Sequence, residues 1–170
     1  MLKKILVSTD GSDHAGKALA LASDLAAKYG AELIILHVLL RGHLPEELRR
    51  LVEVEGLIKH PAKPPVTEVP MAMAMAPAQT ETASLQVLNA VAEQIVENAA
   101  HVARDHGVET VQTLIEDGDA AERIIDIAER KGVDAIILGS RGLGTLKGLL
   151  LGSVSTKVAQ HAHCTCITVK

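Results

Sequence analysis

The stretch AIILGSRGLGTLKGLLLGSVSTKVAQH, residues 135–161, decides the fold class. It opens with an apolar run typical of a buried strand, passes glycines at 139, 142 and 152, and ends in a helix-like run. This order favours phosphate binding, because glycine lets backbone N–H groups approach an anion and a helix start adds unpaired donors. Ser153 is the predicted N-cap, and its hydroxyl could also reach a phosphate oxygen.

Strands and helices alternate along most of the chain. Continuous apolar runs predict strands, and apolar residues at a period of 3.6 predict helices, several of them followed by glycine. The predicted strands are 4–8, 32–39, 109–116, 135–138 and 165–169, and the predicted helices are 12–30, 82–106, 120–131 and 153–161. Buried strands separated by helices indicate a parallel sheet covered on both faces.

The expected fold is therefore α/β, with residues 1–170 forming one domain around an open, parallel, five-stranded sheet of order 3-2-1-4-5. A second polar element, Thr9-Asp10-Gly11-Ser12, follows the first strand, and Gly139 follows the fourth. Ligands of such sheets bind beyond the carboxyl ends of the strands, where the strand order reverses. If strands one and four are neighbours, the two elements face each other across one crevice.

Residues 41–81 interrupt the alternation. Positions 45–55 could form a short charged helix, whereas 59–80 hold five prolines and the run MAMAMAPA. About 40 residues between a strand and its helix is long for a compact unit. We expect this segment to be a lid, an interaction segment or partly disordered.

The composition excludes several classes of protein. The 48% hydrophobic and 22% charged residues are globular values, and a net charge of −4 argues against nucleic acid as a partner. No run reaches the roughly 18 apolar residues of a membrane span. The start MLKKILVSTD lacks the features of a signal peptide, and Cys164 and Cys166 are too close for a structural disulfide, so a cytoplasmic location is expected.

Aromatic side chains are nearly absent from this chain. It contains one tyrosine, Tyr29, and neither phenylalanine nor tryptophan. A bound base would therefore lie between aliphatic side chains and be recognised by backbone groups.

Three segments resemble the nucleotide-binding branch of the universal stress proteins. They are ILVSTDGS at 5–12, LHVL at 36–39 and GSRGLGTLKGLLLGSVSTKV at 139–158. The last of these satisfies in full the family signature G-x2-G-x9-G-[S/T]. The similarity extends over all of the chain except the 41–80 segment.

The resemblance implies a Rossmann-like fold, related to the adenine nucleotide alpha hydrolases, that binds ATP, or ADP or AMP, with Mg²⁺ held through the phosphates. It also implies a homodimer formed through Thr165–Val169. Asp10 and the Gly139 backbone would hold the ribose, and the Val38 backbone would pair with the adenine edge. The implied binding residues are Thr9, Asp10, Gly11, Ser12, Val38, Gly139, Arg141, Gly142, Gly152, Ser153, Val154 and Ser155.

Two short motifs depart from the family pattern. Gly118-Asp119-Ala120 stands where the family often has Gly-x-Pro, and Cys164-Thr165-Cys166 stands where it often has Cys-Pro-Val. Both departures affect local geometry rather than the implied binding residues.

Simpler interpretations stand beside the nucleotide site. Asp10 could only cap the first helix, and the 139–153 loop could be only a surface turn. Thr145-Leu146 after Gly144 excludes a Walker-type loop, and no GxGxxG follows the first strand.

Two groups of side chains could hold a metal. His161, His163, Cys164 and Cys166 offer imidazole and thiolate ligands, although a helix end followed by packed cysteines is favoured. Met71, Met73 and Met75 could bind Cu(I), although apolar contacts of a lid are favoured.

Catalytic machinery is not predicted. Asp10, Asp13 and His14 suggest acid–base chemistry, but Asp13 and His14 lie on the first turn of a helix, and no nucleophile has an adjacent base. The expected function is a non-enzymatic, ATP-binding stress-regulatory switch with slow or no turnover. A slow ATPase or nucleotidyl-transfer enzyme using Asp10 and Ser153, and a nucleotide-free interaction module, remain as alternatives.

Overall fold

The computed structural model describes residues 2–39, 78–143 and 151–170, with side chains omitted for 78–87. The chain forms two compact units, one made of Met1–His43 with Ala92–Lys170 and the other of Leu44–Val91. The described elements are, in order, β1 (Lys4–Ser8), α1 (Asp13–Tyr29), β2 (Glu32–Leu39), α2 (Ala78–Asp105), β3 (Val111–Asp117), α3 (Ala120–Lys131), β4 (Ala135–Gly139), α4 (Ser153–His161) and β5 (Thr165–Val169). Within the described ranges, no helix is both long and apolar enough to cross a membrane.

The five strands form one parallel sheet of order β3-β2-β1-β4-β5, which confirms the predicted fold class. β1 lies at the centre, between β2 and β4. The strand order reverses there, so the loops that follow β1 and β4 are neighbours.

Helices cover both faces of the sheet. Alternate strand residues point to opposite faces, so each strand contributes to two cores. Under α1 and the end of α2, the buried residues include Ile5, Val7, Leu33, Ile35, Ala18, Ala22, Ala99 and Ala103. Under α3 and α4 they include Leu6, Ile34, Leu36, Ile136, Ile124, Ile127 and Val158.

Several predicted helix ends are confirmed. The Asp119 side chain accepts a hydrogen bond from the Glu122 N–H at the start of α3. Gly30 and Gly132 end α1 and α3 in the left-handed region, with φ of 62° and 61°.

The predicted N-cap of α4 is wrong. Gly152 is the N-cap, without any side-chain cap bond, and Ser153 is the first helical residue. The Gly152 N–H donates to the Ser140 carbonyl, and its own carbonyl accepts from the Thr156 N–H. These bonds hold Gly152 in the cap position, which places the Ser153 hydroxyl one residue too late to cap.

Some predicted boundaries differ from the structure. α2 begins at Ala78 instead of 82, so residues 78–81 of the predicted 41–81 segment are helical. β3 runs from Val111 to Asp117 instead of 109–116, and the Thr110 carbonyl just before it accepts from the Leu33 N–H. β4 includes Gly139. The predicted helix at 45–55 lies outside the described residues.

Gly139 lets β4 approach the start of α1 closely. A Cβ built on Gly139 would lie 2.8 Å from the His14 carbonyl carbon and 2.9 Å from the Ala15 nitrogen, both backbone atoms that cannot rotate away. The glycine at this position is therefore required by packing between a strand and a helix.

The substitution Gly139→Ala should destabilise the fold by about 1–3 kcal/mol, because it overpacks this contact. Gly16→Ala is the matched control: it lies inside α1 with nothing within 4 Å of its Cβ position, and should stabilise the fold by about 0.5–1 kcal/mol through helix propensity. Urea unfolding measures both. Equal midpoints for the two variants would contradict this packing argument.

Asp134 joins the starts of β4 and β1. Its Oδ2 accepts hydrogen bonds from the Lys3 N–H at 2.6 Å and the Lys4 N–H at 2.9 Å. These bonds favour the carboxylate and lower the pKa of Asp134 below its ordinary value of 3.8.

Because the pKa of Asp134 is lowered on folding, its ionised form stabilises the fold above the ordinary value of 3.8, and this contribution disappears as the pH falls through the lowered value. Asp134→Asn should therefore be less stable than the wild type at pH 7, and the difference should shrink below about pH 4. Urea unfolding across pH 2.5–7 tests this, with the exposed Glu129→Gln as control. A difference independent of pH would contradict the assignment.

Candidate functional site

A gap opens at the centre of the sheet because β1 ends before the strands on either side of it. The register of β1 ends at Ser8, opposite Leu36 on one side and Leu138 on the other. β2 continues alongside β3 as far as Leu39, and β4 continues alongside β5 as far as Gly139. The crevice predicted beyond β1 is therefore bounded by the ends of β2 and β4.

The Asp10 carboxylate joins the two predicted binding elements across this crevice. Its Oδ1 accepts from the Ser12 N–H and its Oδ2 accepts from the Leu143 N–H, both at 3.0 Å. The second bond connects residues 133 positions apart. Each carboxylate oxygen has about two lone pairs, so both can accept a further hydrogen bond.

Asp10 is not the cap of α1. The N-cap is Ser12, whose hydroxyl accepts from the Ala15 N–H at 3.4 Å. The interpretation of Asp10 as a helix cap alone is thereby excluded, and its carboxylate is left for the crevice.

Gly142 lies directly against Asp10. A Cβ built on Gly142 would clash with the Asp10 Oδ2 atom. Glycine at this position of the signature is thus demanded by the approach of the carboxylate to the loop, in addition to any anion that the loop binds.

Ser140 ties the glycine-rich loop to its surroundings. Its N–H donates to the Val169 carbonyl at 2.6 Å, and its carbonyl accepts from the Gly152 N–H at 2.7 Å and the Ser155 hydroxyl at 3.2 Å. Ser140 and Ser155 are 1% and 2% exposed. The two described ends of the loop are therefore held together beside the last strand.

Ser155 is one of the predicted phosphate-binding residues, and its hydroxyl is buried. It lies 3.2 Å from the Ser140 carbonyl and 3.0 Å from the Gly152 carbonyl, and can donate to either. This geometry gives Ser155 a part in shaping the loop. Ser153, by contrast, is exposed on the first turn of α4, with the partly buried Val154 beside it.

One bond to β2 and one local bond hold the turn after β1. Thr9 donates its N–H to the Leu36 carbonyl, and its hydroxyl accepts from the Gly11 N–H at 3.3 Å. Gly11 has a φ of 81°, a left-handed conformation that favours glycine, and a Cβ there would meet Ile95 at 3.7 Å. Arg141 is partly buried in the opposite turn.

The backbone of Val38 points into the gap. Glu32 N–H donates to β1 and Leu33 N–H donates towards β3, so even-numbered residues of β2 face β1. At Val38 the register with β1 has already ended. Its N–H and carbonyl therefore face the crevice, as the predicted role requires.

Sequence reasoning missed three contributors to this site. They are the Leu143 N–H, the Ser140 backbone and the His37 ring, whose Nδ1 lies 2.8 Å from the Thr9 carbonyl oxygen. Ser140 stands inside the glycine signature and could have been noticed there. The other two are defined only by contacts between segments distant in sequence.

Lys157 fastens α4 to the start of α3. Its ammonium lies 3.3 Å from Asp119 Oδ1 and 3.0 Å from Glu122 Oε1. The hydrogen bonds to Glu122 and Asp119 raise the pKa of Lys157, and the Glu122 N–H in turn lowers the pKa of Asp119. Asp119, the middle residue of Gly118-Asp119-Ala120, thus supplies both a helix cap and an ion pair.

The cysteine and histidine cluster does not form a metal site in the structure. Across the described ranges, no three His, Cys, Asp or Glu side chains come together in a group that could hold a metal ion. Burial raises the pKa of both Cys164 and Cys166, which favours the neutral thiol over the thiolate that binds metal. The three methionines at 71, 73 and 75 lie outside the described residues.

Among solved structures, the fold recurs in proteins with nucleotide ligands. A universal stress protein in complex with cAMP is 22% identical, with a TM-score of 0.63 over 99% of this chain and 96% of that one. The universal stress protein of Archaeoglobus fulgidus in complex with dAMP is 16% identical, with a TM-score of 0.58 over 100% and 98%. At these identities the likeness shows the fold.

Closer relatives establish the family. Universal stress protein YxiE of Bacillus subtilis is 34% identical over the full length of both chains. The solved structure of MJ0577, a universal stress protein of Methanocaldococcus jannaschii, is 30% identical, with a TM-score of 0.72 over 100% of this chain and 96% of that one. The model of the universal stress protein family matches residues 1–54 and 62–170, and the chain belongs to this family.

Proposed function

We propose that this protein binds an adenine nucleotide (ATP, or ADP or AMP) in the crevice beyond β1, with Mg²⁺ bound through the phosphates. One observation carries the proposal: the Asp10 carboxylate links the turn after β1 to the loop after β4. Two facts support it further. The loop carries the complete glycine signature, and two structural neighbours were solved with cAMP and dAMP.

Each part of the nucleotide meets groups of suitable chemistry in this arrangement. The Asp10 oxygens accept hydrogen bonds from the ribose hydroxyls, together with the backbone at Gly139. The Val38 N–H and carbonyl pair with the adenine edge. The phosphates lie against the glycine loop and the start of α4, where backbone N–H groups and the helix dipole favour an anion. The phosphate-binding residues are Arg141, Gly142, Gly152, Ser153, Val154 and Ser155, while Thr9, Gly11 and Ser12 line the crevice.

We infer that the nucleotide acts as a switch with slow or no turnover. In the proposed site the Asp10 oxygens accept two backbone N–H groups and the ribose hydroxyls, which leaves no position on this carboxylate for an attacking water. Ser140 provides the route for a switch, because its N–H bonds to β5 and its carbonyl bonds to the end of the glycine loop. A change in that loop therefore reaches the edge of the sheet through one residue.

Replacing Asp10 tests the proposed site. Asp10→Asn should weaken ATP binding at least about tenfold. The amide NH2 would face one of the two backbone N–H donors, and the side chain would lack the negative charge that favours hydrogen bonds from the ribose hydroxyls. Asp13→Asn, exposed on the first turn of α1, is the matched control and should bind like the wild type. Isothermal titration calorimetry with ATP and Mg²⁺ measures the dissociation constants.

A folded wild-type protein that releases no heat with ATP and Mg²⁺ would refute nucleotide binding. Equal dissociation constants for Asp10→Asn and the wild type would instead refute the role of the carboxylate. Circular dichroism on the same samples shows whether each variant is folded.

We further propose that two copies pair through the outer edge of β5. This strand ends the sheet order, so within the described part of the chain its outer edge has no strand beside it. The Thr165 N–H and the Val169 carbonyl bond towards β4, so the alternate residues Cys166 and Thr168 turn their N–H groups outward. Unpaired strand edges readily associate with another strand.

Thr168→Pro should convert a dimer into a monomer, because proline removes an outward N–H without removing a bond to β4. Thr168→Val keeps the N–H and should remain dimeric. Light scattering coupled to size-exclusion chromatography gives the masses. A monomeric wild type, or a dimeric Thr168→Pro variant, would contradict the proposed interface.

A further inference from the structure

His37 makes an unusual contact at the end of the β1–β2 pairing. Its Nδ1 lies 2.8 Å from the backbone carbonyl oxygen of Thr9. A carbonyl oxygen can only accept, so Nδ1 carries the hydrogen and donates it. The bond survives protonation of the ring, because imidazolium has a hydrogen on both nitrogens.

This contact engages the carbonyl that the next bond between β1 and β2 would use, and it fixes the direction in which that carbonyl points. The Thr9 N–H donates to the Leu36 carbonyl, which is a regular step of a parallel pairing. In the following step the Val38 N–H would donate to the Thr9 carbonyl. That backbone bond is not made, and His37 supplies the donor in its place.

His37 acts from the opposite face of the sheet to its neighbours. The Leu36 and Val38 side chains pack into the core under α3 and α4. Because successive side chains alternate along a strand, the His37 side chain leaves the other face, towards α1 and α2. It therefore bonds to the Thr9 carbonyl without occupying the core beneath Val38.

We propose that His37 is a positioning residue for purine recognition. By holding the Thr9 carbonyl towards its own ring, it disfavours a further bond between β1 and β2 and leaves the Val38 N–H and carbonyl directed into the crevice. These two groups match adenine, whose N1 accepts and whose 6-amino group donates. They mismatch hypoxanthine, which has a donor at N1 and an acceptor at position 6. This role rests on the adenine site proposed above.

The test compares two substitutions of His37. In His37→Leu the Thr9 carbonyl is no longer held by the imidazole and can turn towards the Val38 N–H. In His37→Asn the amide nitrogen lies close to the position of Nδ1 and can donate the same bond. If His37 mattered only for stability, the two variants would have the same ratio of ATP to ITP affinity.

Three readouts apply to each variant. ATP affinity and the ratio of ATP to ITP affinity come from calorimetry, and the exchange rate of the Val38 amide comes from hydrogen–deuterium exchange. We expect His37→Leu to bind ATP about tenfold more weakly, to lose most of its preference for ATP over ITP, and to protect the Val38 amide. His37→Asn should stay within about threefold of the wild type.

The exchange rate of the Val38 amide tests the role of His37 independently of ATP binding. Equal Val38 exchange in the wild type and in His37→Leu overturns the role of His37, whether or not ATP binds. An unchanged ratio of ATP to ITP affinity in His37→Leu also overturns it. A wild type that binds no ATP overturns the proposed function instead. If His37→Leu does not fold, His37→Gln takes its place in the test. The Gln amide lies one methylene further from the backbone than the Asn amide, so we expect the same changes as for His37→Leu.

Discussion

The carboxylate of Asp10 is the interaction on which the site depends. The central strand β1 ends before its neighbours, and at this edge of the sheet the turn after β1 lies beside the loop after β4. Asp10 bonds to the backbone of both, through Ser12 and Leu143. Hydrogen bonds to an ionised acceptor are among the stronger ones in proteins, so this single side chain holds the two segments next to each other.

The small residues around Asp10 follow from the same constraint. Gly142 has no room for a Cβ beside the carboxylate, and Gly139 has none beside the start of α1. The sequence pattern predicted that these glycines serve a bound phosphate. In this chain two of its glycines are already required by contacts within the protein itself.

Sequence patterns were sufficient for the architecture. Apolar runs and helical periodicity predicted every described strand and helix, because these depend on local propensity and on burial. Capping preferences predicted Asp119 and Gly132, and the sheet order followed from the expected fold class. The start of α2 was misplaced by four residues, since polar helix formers such as those at 78–81 give no apolar stripe.

The details of the site could be predicted only in part. The Asp10 and glycine elements were found because their residues are contiguous and chemically distinctive. The contacts of Leu143 and His37 were not, since each depends on where a distant backbone atom lies after folding. The N-cap of α4 was misassigned for the same reason: the bond from the Gly152 N–H to Ser140 decides it, rather than the preference of serine for caps.

The central claim is that the two loops tied by Asp10 form one site for one nucleotide. Backbone amide chemical shifts recorded during a titration with ATP and Mg²⁺ test it most directly. The account predicts that signals from residues 9–12, Val38 and 139–143 move together and saturate at the same ATP concentration. Shifts confined to one of the loops, or found only on the α3 and α4 surface around Glu122 and Lys157, would contradict it.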